Sequence, residues 1–164
     1  DCIPVIHSNW YPPIAVQEKN PQYAQLLMPD LASAASEMTT VHTYLYQSWT
    51  IGNDYETIRC VIKRLAAVEQ RHYAIIGQLI ALLGGEPECR STMNNSYWCG
   101  NMINYSCDLR TLLSNNAKSE CFAAQAYAEQ SQEIKDPCVS KMLARLSLDE
   151  ELHVQIFNDF LQQI

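Results

Sequence analysis

A Glu-x-x-His element occurs twice in this chain, each time after a lone glutamate, at Glu-to-Glu separations of 32 and 30 residues. The first copy is Glu37, then Glu69 and His72 in VEQRHYAIIG; the second is Glu120, then Glu150 and His153 in DEELHVQIF. Residues three apart on an α-helix lie about 60° apart around the axis and about 4.5 Å along it. A Glu and a His at that spacing can aim at one point beside the helix. Two such helices facing each other, each partnered by a helix carrying one Glu, converge four carboxylates and two imidazoles. That donor set suits two divalent metals bridged by carboxylates.

The rest of the chain supplies the helices this requires. Residues 1–21 hold Pro4, Pro12, Pro13 and Pro21 and read as an irregular arm. Ile3, Val5, Ile6, Trp10 and Ile14 should hold it against the body rather than leave it in solution. Residues 22–164 read as the bundle. A first helix is expected from about Gln22 or Asp30 to Ile51, with Pro29 as a kink or in the first turn and Asp30 favouring the start. A second runs from about Asp54 to Leu83, with Ile58, Val61, Ile62, Leu65, Val68, Ile76, Leu79 and Leu83 at helical spacing. Gly84-Gly85 stops it. Residues 84–107 lack periodicity and suit a long crossover. A third helix follows from about Asp108 to Ile134, and after the Asp136-Pro137 turn a fourth reaches about Leu161. The expected architecture is all-α, a four-helix bundle with its long crossover between helices two and three.

Composition limits the partners. Nearly half of the 164 residues are apolar (48%) and 18% are charged, as in a globular domain. A net charge of −7 without a Lys/Arg cluster argues against nucleic acid. No apolar run approaches the twenty or so residues of a membrane helix. The opening DCIPVIHSNWYPP does not read as a signal peptide. The seven cysteines include no Cys-x-x-Cys, which argues against a rubredoxin-type iron site and a zinc ribbon. Reduced thiols in a cytoplasmic protein are the plainer expectation, with Cys60 and Cys121 buried on helices. Cys89, Cys99 and Cys107 share the crossover, where a disulfide is the alternative.

Single glutamates on helices are usually solvated, so the strength lies in the repeat. Between Leu31 and Ile51, Glu37 is the sole formal charge, which points to a buried, paired or metal-bound group. Glu120 is less isolated, with Lys118 two residues away. Tyr44 and Tyr127 each lie seven residues, about two turns, after Glu37 and Glu120. They are read either as core aromatics or as groups whose hydroxyls hydrogen-bond the metal ligands. His42 lies about 140° around the helix from Glu37, too far to share its site. His7 reads as incidental; Asp149 reads as a solvated helix charge, with support of a ligand on a neighbouring helix as the alternative.

From about Ala24 to Leu161 the chain resembles the ferritin-like superfamily of di-iron and di-manganese carboxylate proteins, closest to its rubrerythrin-like and manganese-catalase-like branches. SEMTTVHTYLYQSW, VEQRHYAIIGQLIALLGGEP and LSLDEELHVQIF carry the resemblance. It implies that Glu69 and Glu150 bridge two ions of Fe or Mn, that Glu37 and Glu120 bind terminally, and that His72 and His153 each cap one ion. Glu37, Glu69, Glu120 and Glu150 are then the candidate catalytic groups. Against rubrerythrins, this sequence has Ala123 where they carry a further glutamate, and it has no rubredoxin segment. Nor does it carry the short fifth helix of cage-forming ferritins.

The resemblance implies a small oxidant as substrate, with catalase- or peroxidase-like removal of hydrogen peroxide as the leading expectation. The alternatives are an iron-binding ferroxidase using dioxygen, and a structural, spore-coat-like protein with a retained metal site. The arm and exposed apolar helix faces are compatible with a homodimer.

Overall fold

The computed structural model describes residues 2–91 and 95–164. Position 1 of the arm and positions 92–94 of the crossover lie outside the described residues. Among the described residues five α-helices carry the fold: α1 (Pro21–Leu31), α2 (Glu37–Thr50), α3 (Glu56–Leu82), α4 (Leu109–Glu133) and α5 (Pro137–Gln163). α2 packs on α3, and α4 on α5, as the dominant contacts, so the bundle is two helical hairpins laid together. Among the described residues no helix is long and apolar enough to cross a membrane.

The expected first helix is two helices. Pro21 opens α1, where its missing N–H costs nothing, and the Asn20 side chain caps the turn by accepting from the Tyr23 N–H. Pro29 is therefore inside α1, and Asp30 lies in its last turn rather than near a helix start. Ala32 leaves helical geometry. Ser36 then starts α2, its hydroxyl accepting from the Thr39 N–H at 3.3 Å. This restart makes Glu37 the first residue of α2. The remaining ends fall within two residues of expectation, apart from a 3-10 turn at Asn53–Tyr55 before α3. Asp108 and Asp136 cap α4 and α5 through backbone N–H groups of Thr111, Cys138 and Val139.

The crossover holds a two-residue antiparallel pairing, β1 (Arg90–Ser91) with β2 (Ser96–Tyr97). Gly84, at φ +88°, turns the chain out of α3 in a conformation most side chains resist. The Trp98 indole donates to the Thr39 hydroxyl at 2.9 Å and its ring stacks on His42, tying the crossover to α2. His42 thus faces the crossover and not the bundle axis.

Two hydrophobic cores form, one on either side of a polar layer. One gathers Leu27, Leu31, Ile76, Leu79, Leu143 and their neighbours; the other gathers Ile62, Leu65, Leu113, Ile156, Phe157 and theirs. Each fully buried aliphatic or aromatic side chain contributes about 1.5–3 kcal/mol. That apolar burial offsets the cost of holding charge in the layer between. On α3 the layer is Glu69 and His72, with Val68 in one core and Ile75 in the other. On α5 it is Asp149, Glu150 and His153, between Leu146 and Ile156.

Residues 2–20 lie along the seam of α3 and α5. Val5 is buried, the Ile3 carbonyl accepts from Arg64 at 2.8 Å, and the Gln17 N–H reaches Asp136 at 2.7 Å. Ile6 and Trp10, which the sequence suggested would pack, remain exposed. Cys60 and Cys121 also face solvent rather than the core, and all seven cysteines are free thiols. Their helical positions fall outside the apolar stripe that turns inward.

A candidate dinuclear metal centre

Helical spacing sets the first feature of the site. Within α3, His72 and Glu69 face the same point, with Nδ1 of His72 3.2 Å from Oε2 of Glu69. Within α5 the equivalent distance, His153 Nδ1 to Glu150 Oε2, is 3.1 Å. Antiparallel packing then exchanges partners between the two helices. His72 Nδ1 lies 2.9 Å from Glu150 Oε1, and His153 Nδ1 lies 2.8 Å from Glu69 Oε1. Glu69 and Glu150 therefore each touch both histidines. Glu37 approaches only His72, at 3.9 Å, and Glu120 only His153, at 3.6 Å.

The six sequence-predicted residues thus come together as two overlapping groups. One is Glu37, Glu69, His72 and Glu150; the other is Glu69, Glu120, Glu150 and His153. Within each group one donor atom per residue lies within 4.8 Å of all the others, and every member is buried.

Several of these buried atoms are close together without being hydrogen-bonded. Glu69 Oε1, both carboxylate oxygens of Glu150 and His153 Nδ1 have no directed partner. Buried polar atoms are nearly always satisfied, so lone pairs converging in this way fit a cation between them. Charge balance fits as well. Four ionised carboxylates carry about −4, and two divalent ions would neutralise that charge in a place where an unpaired ion costs several kcal/mol.

Burial pushes the Glu37 and Glu120 carboxyls well above the usual carboxylate range, and the charges of Glu69 and Glu150 push the same way. Burial acts on Glu69 and Glu150 too, but both are held below the usual range. His153 and His72 outweigh burial at Glu69, and His72 is the main opposing charge at Glu150. Burial disfavours the charged imidazoles, yet Glu150 and Glu69 raise His72, and Glu69 foremost raises His153.

The two tyrosines cross over. The Tyr44 hydroxyl, on the helix of Glu37, donates to Glu120; the Tyr127 hydroxyl, on the helix of Glu120, donates to Glu37. Both are buried among apolar neighbours, so they pack as core aromatics and also hold the two outer carboxylates.

Asp149 is not the solvated charge the sequence favoured; it takes the alternative, supporting a candidate ligand on the neighbouring helix. It is fully buried, and its Oδ2 lies 2.9 Å from His72 Nε2. Its Oδ1 is 2.8 Å from Arg145 and accepts the His7 backbone N–H at 2.7 Å. Burial would raise its carboxyl, but the bonds from His72 and Tyr11 hold it well below the carboxylate range. The i,i+4 spacing of Arg145 and Asp149 was the signal in the sequence. His7 contributes through its backbone, which no side-chain pattern announces. Tyr11 was missed altogether; it donates to Asp149 across 138 residues of sequence.

A narrow cavity of about 20 Å³ reaches the carboxylates between α2 and α4. Glu37, Glu69, Glu120 and Glu150 meet it from within, and Thr40, Ser119, Phe122 and Ala123 are among the residues lining it. A space of that size holds about one water-sized molecule. Asp30 also lines it, with burial pushing its carboxyl up to about 7 against the lowering effect of a 2.8 Å hydrogen bond from Gln130.

The same arrangement of helices recurs in known proteins. A family model described as Ferritin-like matches residues 31–113. A probable manganese catalase of Clostridium acetobutylicum is 25% identical over 171 residues, covering 92% of this chain and 75% of that one. The crystal structure of KatB, a manganese catalase from Anabaena, superposes with a TM-score of 0.84 at 23% identity, over 96% of this chain and 80% of that one. A Desulfovibrio desulfuricans bacterioferritin superposes at 0.73 and 20% identity, over 87% and 80% of the two chains. With two hairpins presenting Glu and Glu-x-x-His to a shared buried layer, and a family match over half its length, this chain belongs to the ferritin-like family.

Proposed function

We propose that this chain is a dinuclear manganese or iron protein that decomposes hydrogen peroxide. The observation that carries this reading is the sharing of Glu69 and Glu150 between two histidines, beside a cavity that admits little more than one small molecule. The manganese catalases it resembles support peroxide as the oxidant. Glu37, Glu69, His72 and Glu150 would hold one ion, and Glu69, Glu120, Glu150 and His153 the other.

Bound there, a redox-active pair of ions supplies the two-electron change that peroxide disproportionation needs. The chain's own residues orient and exclude. Tyr44 and Tyr127 fix the outer carboxylates so that Glu120 and Glu37 present constant geometry. The two apolar cores keep bulk water from the layer. One peroxide is reduced to two waters while a second is oxidised to dioxygen, and the two protons released by the second are consumed by the first. No outside reductant is required. Asp30, with its carboxyl near neutrality, is placed to hold a proton between these steps at the cavity wall. Free thiols support a reducing compartment such as the cytoplasm.

Elemental analysis of protein from its native source, followed by an oxygen-electrode assay with that metal, tests the proposal. Dioxygen should appear at half the moles of peroxide consumed, with no added reductant. Fe(II)-dependent oxygen uptake without peroxide disproportionation, or no turnover with either metal, would overturn it. Cavity size gives a second check. Ala123→Leu should leave metal uptake unchanged yet lower kcat/KM for peroxide by about tenfold or more, as expected from overpacking a tight space. Unaltered kcat/KM would place the route for peroxide elsewhere.

A further inference from the structure

We infer that the N-terminal arm is a strap that retains the metal ions, acting through the outer nitrogens of both histidines and with Tyr11 as its positioning residue. The inference rests on the dinuclear reading above.

Both imidazoles turn Nδ1 toward the carboxylates and Nε2 away. His153 Nε2 meets the Val5 carbonyl at 2.9 Å, and His72 Nε2 meets Asp149 Oδ2. A backbone carbonyl only accepts, so Nε2 of His153 must carry a proton, which frees the Nδ1 lone pair for a metal. The ionised Asp149 fixes His72 in the same tautomer. Such outer partners set the orientation and basicity of metal-bound histidines.

On the His153 side the partner is the arm itself. On the His72 side the arm acts at one remove. Asp149 is held by the His7 N–H and the Tyr11 hydroxyl, and the Tyr11 hydroxyl also lies 3.4 Å from His72 Nε2. The Tyr11 ring is fixed between two guanidiniums, with Arg71 at 3.9 Å and Arg145 at 4.0 Å from its centroid. Arg145 in turn donates to the carbonyls of Asn9 at 2.8 Å and His7 at 3.0 Å. The arm, Arg145 and Asp149 therefore interlock as one unit over α3 and α5.

The two sides differ in a way that can be measured. Tyr11→Phe keeps the ring between the arginines and removes only the hydroxyl, which serves the His72 side alone. Wild-type and variant proteins loaded with Mn(II), or with Fe(II) under anaerobic conditions, are challenged with excess chelator and metal release is followed. In Tyr11→Phe one ion of the pair should leave about tenfold faster, and the other at the wild-type rate. The metal-free variant should stay folded with a cooperative transition, melting only a few degrees below wild type, as loss of a single hydrogen bond to a buried carboxylate requires. Asp149→Asn should reproduce the single-ion effect. Release of both ions at wild-type rates would overturn the inference. So would equal acceleration of both ions together with loss of that cooperative transition, which marks general loosening. A wild-type protein that takes up neither metal overturns the dinuclear reading and the strap together; one that keeps two ions whatever residue stands at position 11 overturns only the strap.

Discussion

In Glu69→Gln the helices should stand while both metal ions are lost and dioxygen release from peroxide falls by roughly 10²- to 10³-fold. Glutamine keeps the volume of the side chain, so neither apolar core is disturbed. What it removes is the charge that His153 and His72 both face, at 2.8 and 3.2 Å. Taking one partner from a buried charged set costs about 3–5 kcal/mol, and each 1.4 kcal/mol is about tenfold in affinity. Glu37→Gln should behave differently, because of the two histidines Glu37 approaches only His72. It should cost one ion of the two. Metal analysis paired with circular dichroism reads both variants. Two retained ions in Glu69→Gln would show that its carboxylate is not shared.

Metal uptake should be strongly coupled to protons. In the metal-free layer burial raises the Glu37 and Glu120 carboxyls well above the usual carboxylate range, and the facing carboxylates raise His72 and His153, so all four groups hold protons more tightly than free side chains do. The lowered Glu69 and Glu150 are ionised and face both imidazoles. Loading two divalent ions must expel whatever protons these four groups hold, up to about four, since carboxylates bind deprotonated and histidines neutral. Acid therefore favours the empty site. Where all four are protonated, each ion displaces about two protons and apparent affinity falls about a hundredfold for each unit of acidification. Above the raised values the dependence flattens. Titration calorimetry in buffers of differing ionisation enthalpy counts the released protons. A count near zero would mean that the metal-free site is already open and ionised, or that the ions bind elsewhere.

The pairing of the candidate ligands could be read from the sequence because helical periodicity is local: Glu69 with His72, and Glu150 with His153, share a face whatever the rest of the chain does. The tyrosines were half legible. Their spacing placed them on the right faces, but only the packing of hairpins sends Tyr44 to Glu120 and Tyr127 to Glu37. The two readings of Asp149 could not be ranked correctly, because its burial depends on Arg145 and on an arm more than 130 residues away in sequence. The break after Leu31 was hidden because the Ala- and Ser-rich segment that follows suits a helix about as well as a turn. Only the Ser36 cap, with its bond to Thr39, gives the restart away. Irregular segments such as residues 2–20 have no period to read, and their tertiary hydrogen bonds are largely main-chain.

The placing of a charged slice between two hydrocarbon cores governs direction. Above and below it, Leu, Ile and Phe side chains fill the bundle, and no ion or hydrated molecule can travel along the long axis. Traffic has to be sideways. One flank, between α2 and α4, offers the narrow cavity; the flank of α3 and α5 lies under the arm. The bundle behaves as a tube stoppered at both ends, with a small window on one wall and a fastened shutter on another.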